Sequence, residues 1–291
     1  MTTPRALNPR KTEAREYQTR NSGIFLSVEK VLYEKQSAYQ HIEIIRNKDY
    51  GRALFIDGLL QTTERDEFYY HEMLVHPAMC CHPRPRHVLI IGGGDGGALR
   101  EVLKHSVERA WLVEIDQEVI EACKTHFPWL KPDLRDKRAE LVVADGNVFI
   151  GETDRKFDVI LVDSSDPVGP STVLHQAAFY RKLKSRLKPG GIIAGQAGSL
   201  MLHQDSHARK NAFLSKLFYF CELYTGPTPT YPVGTWCYDF LSDKVSPLKV
   251  RRRRIPAGLK YYNHVVHLAA FALPNFLLDK LTPAGRKRRR A

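Results

Sequence analysis

Apolar and polar side chains alternate along residues 23–64, as in HIEII at His41 to Ile45 and RALFIDG at Arg52 to Gly58, with Gly51 and Gly58 as breaks. A period of two turns one face of each segment inward, which predicts a small antiparallel sheet. At ERDEFYYHEMLVHPAM, residues 64–79, the spacing becomes helical, with Phe68, Met73 and Val75 among the apolar positions. Pro77 and Pro83 predict where that helix stops.

From His87 the pattern changes again, to short apolar runs separated by helical stretches. HVLII (87–91), AWLVEI (110–115), AELVVA (139–144), FDVILVD (157–163) and GIIAG (191–195) read as buried strands. Helices are predicted over 98–105, 117–126, near 176–187 and near 206–220, with further strands near 222–224 and 235–241. That rhythm predicts an α/β fold: a doubly wound, Rossmann-like (methyltransferase-like), mostly parallel sheet behind a small N-terminal antiparallel β domain. The organisation read from the sequence is a flexible basic lead-in at 1–22, a β-strand domain at 23–80, a catalytic domain at 81–245 and a basic extension at 246–291.

Charge sharpens this division. The chain of 291 residues carries a net +12, but residues 246–291 hold twelve Lys or Arg against the single acid Asp279, so the body is nearly neutral. Two runs, Arg251 to Arg254 and Arg286 to Arg290, suit either an anionic partner, nucleic acid or membrane, or a solvated tail. Five cysteines form no C-x-x-C pair, which points to a reducing compartment. The N-terminus lacks an apolar signal segment, and no run is long and apolar enough for a spanning helix, so a cytoplasmic location is expected.

Acidic residues recur where predicted strands end, the position at which doubly wound sheets bind ligands. Gly92, Gly94 and Gly97 satisfy G-x-G-x-x-G between a strand and a helix, and Glu114 follows about 20 residues later, placed to accept hydrogen bonds from ribose hydroxyls. Asp95 inside the glycine loop disfavours a phosphate and suits an ammonium; it also suits the capping of the next helix. Asp145 in ADG is read either as an acceptor for an adenine amino group or as an Asp-Gly turn residue. Asp163 and Asp166 in DSSDPVGP are placed to hold an amine between them or to serve the turn set by Pro167 and Pro170. His71, His76 and His82 lack a donor set at metal spacing, so no metal is expected.

Several of these stretches in one register carry a resemblance. QTTERDEFYYHEM (61–73), LIIGGGDGG (89–97), VEID (113–116), VDSSDPVGP (162–170) and PTYPVG (229–234) resemble the polyamine aminopropyltransferases, the spermidine synthase branch most closely, over about residues 28–242. The resemblance implies transfer of the aminopropyl group of decarboxylated S-adenosylmethionine to a diamine, putrescine to spermidine, releasing 5′-methylthioadenosine, with no other cofactor. It places Gln40, Gln61, Gly92, Gly94, Asp95, Glu114, Asp145, Gly146, Asp163 and Pro170 around the donor. Tyr70, His71, Asp163, Asp166, Gln196, Tyr231 and Trp236 fall on the amine side, although Trp236 also reads as an ordinary core residue. Asp166 would be the general base, Tyr70 would orient the amine, and Asp163 would assist them. The resemblance also implies a homodimer or homotetramer, and a C-terminal segment at 260–278 packed on the catalytic body.

Two departures from the family pattern fall on the acceptor side. Ala197 and Gly198 stand where an acidic or larger polar residue is common, and His175 stands where Phe is usual, leaving the amine open among putrescine, cadaverine, agmatine and spermidine. The alternatives to this reading are an S-adenosylmethionine-dependent methyltransferase and a catalytically weak homologue that works through its Arg-rich tail.

Overall fold

A computed structural model describes residues 11–164 and 169–281 of the chain. Alternation in the N-terminal part yields β1 (Glu13–Tyr17) paired antiparallel with β2 (Gly23–Ser27), then an antiparallel meander of β3 (Lys30–Gln36), β4 (His41–Asn47), β5 (Gly51–Ile56) and β6 (Leu59–Thr63). β1 corrects the expectation of a flexible lead-in through residue 22. Its short, charged sequence hides a strict two-residue period, in which Ala14 and Glu16 are buried while Arg15 and Tyr17 face out.

The helix α1 (Glu67–Cys81) runs through Pro77 instead of ending there, a second correction. Proline removes the N–H that would bond the Met73 carbonyl four residues earlier. Here the Tyr224 hydroxyl donates to that carbonyl at 2.9 Å, so the helix continues without an orphaned acceptor. All of α1 except Phe68 and Tyr69 is buried. Met73, Val75 and Ala78 pack in the same core cluster as Val88, Leu161 and Tyr238 of the main sheet, so the division expected at 80/81 moves to the β6–α1 junction.

The main sheet has seven strands in the order β12-β13-β11-β10-β7-β8-β9: β7 (His87–Gly92), β8 (Arg109–Glu114), β9 (Ala139–Val143), β10 (Phe157–Asp163), β11 (Leu187–Ser199), β12 (Phe220–Pro227) and β13 (Thr235–Ser242). β7 to β11 pair in parallel, and β13 lies antiparallel to both β11 and β12. Crossovers are made by α2 (Gly97–Leu103), α3 (Gln117–His126) with α4 (Leu130–Asp133), α5 (Gly146–Glu152) and α6 (Ala177–Ser185), while α7 (Gln204–Leu217) leads to β12. This is the doubly wound Rossmann-like sheet that the apolar rhythm predicts, with small antiparallel sheets before it.

The extension docks on α1. Glu72, buried on that helix, accepts hydrogen bonds from the backbone N–H groups of Lys260, Tyr261 and Tyr262 at 2.7–2.9 Å, ahead of α8 (His264–Ala270) and α9 (Asn275–Leu281). Arg251 to Arg253 are exposed beside a turn fixed by the Arg251 N–H donating to the Cys80 carbonyl. The second run, Arg286 to Arg290, lies outside the described residues. Among the described residues no helix is long and apolar enough to cross a membrane.

Candidate active site

β7 and β10 lie side by side, yet their following connections lead to opposite edges of the sheet, so a crevice opens at their carboxyl ends. In the ladder Gly92 pairs with Asp163, which brings the glycine loop against the end of β10. Gly92 has φ +82°, and a Cβ there would lie 2.2 Å from the Asp163 carbonyl oxygen. Only glycine permits this approach. The crevice continues into a cavity of about 350 Å³ bounded by the main sheet, the N-terminal meander and α1.

One half of the cavity is built around Glu114. Its Oε2 accepts from the Gly94 N–H at 3.2 Å and its Oε1 from the Asp116 N–H at 3.0 Å. Burial nevertheless pushes its pKa up to about 7 against these donors. Gln40 reaches over from the meander and donates to Asp116 Oδ2 at 3.0 Å. Asp145 is a helix cap where the sequence suggests an Asp-Gly turn: Oδ1 caps α5 through the N–H groups of Asn147 and Val148, and the residue, with Gly146, lines the cavity. Leu54, Ile56, Ile91, Val113 and Val119 supply apolar wall, giving a slot suited to a flat ring with polar edges.

The centre of the cavity is acidic. Asp95 accepts from the Gly97 N–H at 2.8 Å and faces His71 Nε2 at 3.4 Å. Asp163 accepts from the Tyr70 hydroxyl at 2.6 Å. Donor atoms of His71, Asp95 and Asp163 all lie within 4.8 Å of one another. Burial raises the Asp163 carboxyl, and the neighbouring Asp95 charge adds to this, so that against the pull of His71 it is pushed up to about 6. Asp95 is held below the usual carboxylate range: burial opposes ionisation, but His71 and the Gly97 N–H outweigh it. Burial likewise works against a charged His71, yet Asp95 and Glu67 hold its pKa well above the usual histidine range.

Aromatic rings and amides close the far end. Gln196 is fixed at both ends, donating to the Ser164 carbonyl at 2.9 Å and accepting from Trp236 Nε1 at 3.1 Å. Trp236 is therefore buried in the wall and lines the cavity at once. Tyr231 packs edge-on against Trp236 and donates its hydroxyl to the Gln61 carbonyl, while Gln61 donates to the Leu59 carbonyl at 3.0 Å. Asp166 and the side chain of Pro170 lie outside the described residues. Every other site residue expected from the sequence lines this one cavity.

Besides the apolar wall, Glu16, Asp57 and Ile115 are among the lining residues that escape the sequence reading. Glu16 of β1 is a buried carboxylate at the cavity edge whose Oε2 accepts from the Leu60 N–H at 2.8 Å. Its segment reads as a polar lead-in, and only the alternation across 13–17 marks it. Asp57 takes positive φ in the β5–β6 turn and lines the cavity, as does Ile115 directly after Glu114; its position next to the strand-end acid is the one signal for Ile115.

Fold and cavity together define a doubly wound, Rossmann-like protein with an acidic ligand cavity at the carboxyl ends of its central strands. The family model described as spermine/spermidine synthase domain matches residues 67–250, and the model described as spermidine synthase tetramerisation domain matches residues 14–64. The chain is 44% identical over 268 residues to a polyamine aminopropyltransferase of Caldicellulosiruptor bescii, covering 91% of this chain and 96% of that protein. It is 41% identical over 266 residues to the polyamine aminopropyltransferase of Bacillus subtilis, covering 91% and 96%. Among solved structures, a spermidine synthase in complex with the transition-state analogue AdoDATO superposes with a TM-score of 0.90 at 41% identity, covering 95% of this chain and 97% of that one. Spermidine synthase from Thermotoga maritima superposes with a TM-score of 0.88 at 40% identity, covering 96% of each. The chain belongs to the spermine/spermidine synthase family, and the methyltransferase alternative gives way to it.

Proposed function

We propose that the protein transfers the aminopropyl group of decarboxylated S-adenosylmethionine to putrescine, forming spermidine and releasing 5′-methylthioadenosine. The observation that carries this reading is the convergence of Asp95 and Asp163 in the middle of the cavity, next to the Glu114 half. These two carboxylates, Asp95 buried and Asp163 half-buried, attract a donor that bears an ammonium and a sulfonium and disfavour one that keeps its own carboxylate. The analogue bound by the 41% identical spermidine synthase supports the same assignment.

In this reading Glu114 accepts from the ribose hydroxyls, Gln40, Asp145 and Gly146 flank the nucleoside, and the apolar walls take the ring. Asp95 and Asp163 hold the aminopropyl ammonium, and Gly92, Gly94, Gln61 and Pro170 shape the donor site. The amine attacks the methylene next to the sulfonium: a C–N bond forms, the C–S bond breaks, and its electron pair stays on sulfur. Alignment of the two substrates supplies most of the acceleration. The attacking amine must lose a proton, which we assign to Asp166, with Tyr70 and Asp163 orienting the nitrogen. Gln196, Tyr231 and Trp236 form the wall beside the acceptor chain.

Tyr17 and Phe25 lie on one exposed face of the β1–β2 pair, 64% and 63% exposed, within the segment that matches the tetramerisation model. This supports a homo-oligomer. The five free cysteines favour a cytoplasmic location.

The test is a mass-spectrometric assay of the purified protein with decarboxylated S-adenosylmethionine and putrescine, cadaverine, agmatine or spermidine, with ordinary S-adenosylmethionine as control. Methylthioadenosine with aminopropylated putrescine is the expected result. In Asp166→Asn the rate should fall by a factor of about 10² or more if Asp166 is the base. Wild-type turnover by that variant would remove Asp166 from the role.

A further inference from the structure

Both ring nitrogens of His71 face carboxylates. Nδ1 lies 2.7 Å from Glu67 Oε2 one helical turn earlier on α1, and Nε2 lies 3.4 Å from Asp95 Oδ2. A neutral imidazole has one N–H and one lone pair, so one of these carboxylates would face a lone pair. Only the doubly protonated ring donates to both. His71 and Glu67 are also buried, at 2% and 6% exposure, so water does not substitute for either partner.

Glu67 is in turn held from outside. Arg100 Nη2 lies 2.7 Å from the same Oε2, Arg100 Nε donates to Glu101 Oε1 at 2.8 Å, and the guanidinium stacks over Trp129 at 5.3 Å. Trp129 Nε1 donates to the Asp95 carbonyl at 3.0 Å, which closes the circuit back to the glycine loop. The third glycine of G-x-G-x-x-G belongs to this arrangement: a Cβ on Gly97 would lie 2.2 Å from His71 Cε1. α2 therefore starts against the imidazole face, and the ring has no room to swing away.

We propose that Glu67, clamped by Arg100, is a positioning residue that fixes His71 as a cation on Asp95 and so tunes the Asp95–Asp163 pair to accept a single ammonium. Across Lys104, Glu101, Arg100, Glu67, His71, Asp95 and Asp163 the formal charges sum to one negative, which one ammonium cancels. This rests on the aminopropyl reading above for the identity of the ammonium. The titratable groups facing His71 are Glu67 and Tyr70 from α1, Asp95 from the glycine loop and Asp163 from β10; Arg100 of α2 acts through Glu67. Without Glu67 the ring loses the acceptor at Nδ1 and reverts to a neutral tautomer, and Asp163 then faces Asp95 with no cation beside the pair.

The experiment is ring ¹⁵N NMR of His71 in the substrate-free, full-length protein, assigned with His71→Gln, in wild type and Glu67→Gln across about pH 5–9. The expected result is a wild-type ring protonated at both nitrogens at about pH 7.5 and a Glu67→Gln midpoint lower by at least about one pH unit. Calorimetry with decarboxylated S-adenosylmethionine should show Kd weakened about tenfold in Glu67→Gln and the acid limb of its pH profile moved upward, a shift that mere loosening of the helix would not produce. If Glu67→Gln does not fold, Arg100→Gln should move the His71 midpoint in the same direction by a smaller amount. A neutral wild-type ring at about pH 7.5, or a midpoint unmoved by either variant, overturns the proposal. A cationic His71 that depends on Glu67, found together with no aminopropyl turnover, supports the positioning role and overturns only the substrate reading.

Discussion

The Tyr70 hydroxyl donates to Asp163 Oδ1 at 2.6 Å, tying the first turn of α1 to the end of β10 across 93 positions of sequence. A hydrogen bond of this length to a carboxylate is charge-assisted and commits one oxygen of Asp163. The other, Oδ2, faces Gly93, where the missing side chain leaves room for it. The contact thus decides which oxygen a ligand meets.

Tyr70→Phe should lower kcat/KM by a factor of about 10–100, because Asp163 loses both its orientation and a donor that favours its ionised form. The acid limb of the pH–rate profile should move upward in the same variant. Turnover measured from about pH 5 to 9 checks both. A lower rate with an unmoved acid limb would mean that Tyr70 acts on the amine alone.

Donor binding should depend on pH in a defined direction. Burial pushes the Asp163 and Glu114 carboxyls up to about 6 and about 7, and a cationic donor favours the ionised form of each. Affinity should rise by up to about tenfold per pH unit for each carboxylate that must ionise, and level off above about 7. Calorimetry in two buffers of different ionisation enthalpy should register proton release at about pH 6. Methylthioadenosine, which carries no charge, should show the shallower profile.

Asp163→Asn should separate stability from activity. A carboxyl whose folded pKa is raised contributes stability that is complete below its unfolded pKa of 3.8 and is lost as pH rises through about 6. At neutral pH the ionised side chain therefore costs stability, and Asn removes that cost while keeping an acceptor for Tyr70. Thermal unfolding at about pH 7.5 should give a Tm at or above wild type, while turnover falls by a factor of about 10² or more. A clear drop in Tm would show that the charge itself holds the glycine loop.

Tyr224→Phe should destabilise the protein by about 1–2 kcal/mol, since it strands the Met73 carbonyl that Pro77 leaves without a helical partner. Denaturant unfolding measures this directly. Replacing Pro77 with Ala in the Tyr224→Phe background should recover much of the loss, because an N–H then returns to the ladder.

Features that depend on neighbours along the chain are legible in the sequence. The strand ends at Gly92, Glu114 and Asp163 follow from apolar runs that stop at an acid or a glycine, and the helix expected at 117–126 forms over those residues, capped by the Asp116 side chain accepting from the Glu118 N–H. Features that depend on partners far along the chain are not. Pro77 reads as a stop because the hydroxyl that rescues it, on Tyr224, sits 151 positions from the Met73 carbonyl it serves. His71 shows its neighbour Glu67 in sequence, but its second carboxylate and the Arg100 clamp come from another element. Glu16 is hidden because a short, mostly charged stretch looks like solvent-exposed chain unless the burial of alternate positions is known.

β1 places Glu16 and Tyr17 side by side, one turned to the cavity and the other to the outside. The strand is thus a partition one residue thick, with an exposed ring on one face and a cavity-lining carboxylate on the other. A substitution on the outer face of β1 therefore acts on the same five residues that hold Glu16 at the cavity edge.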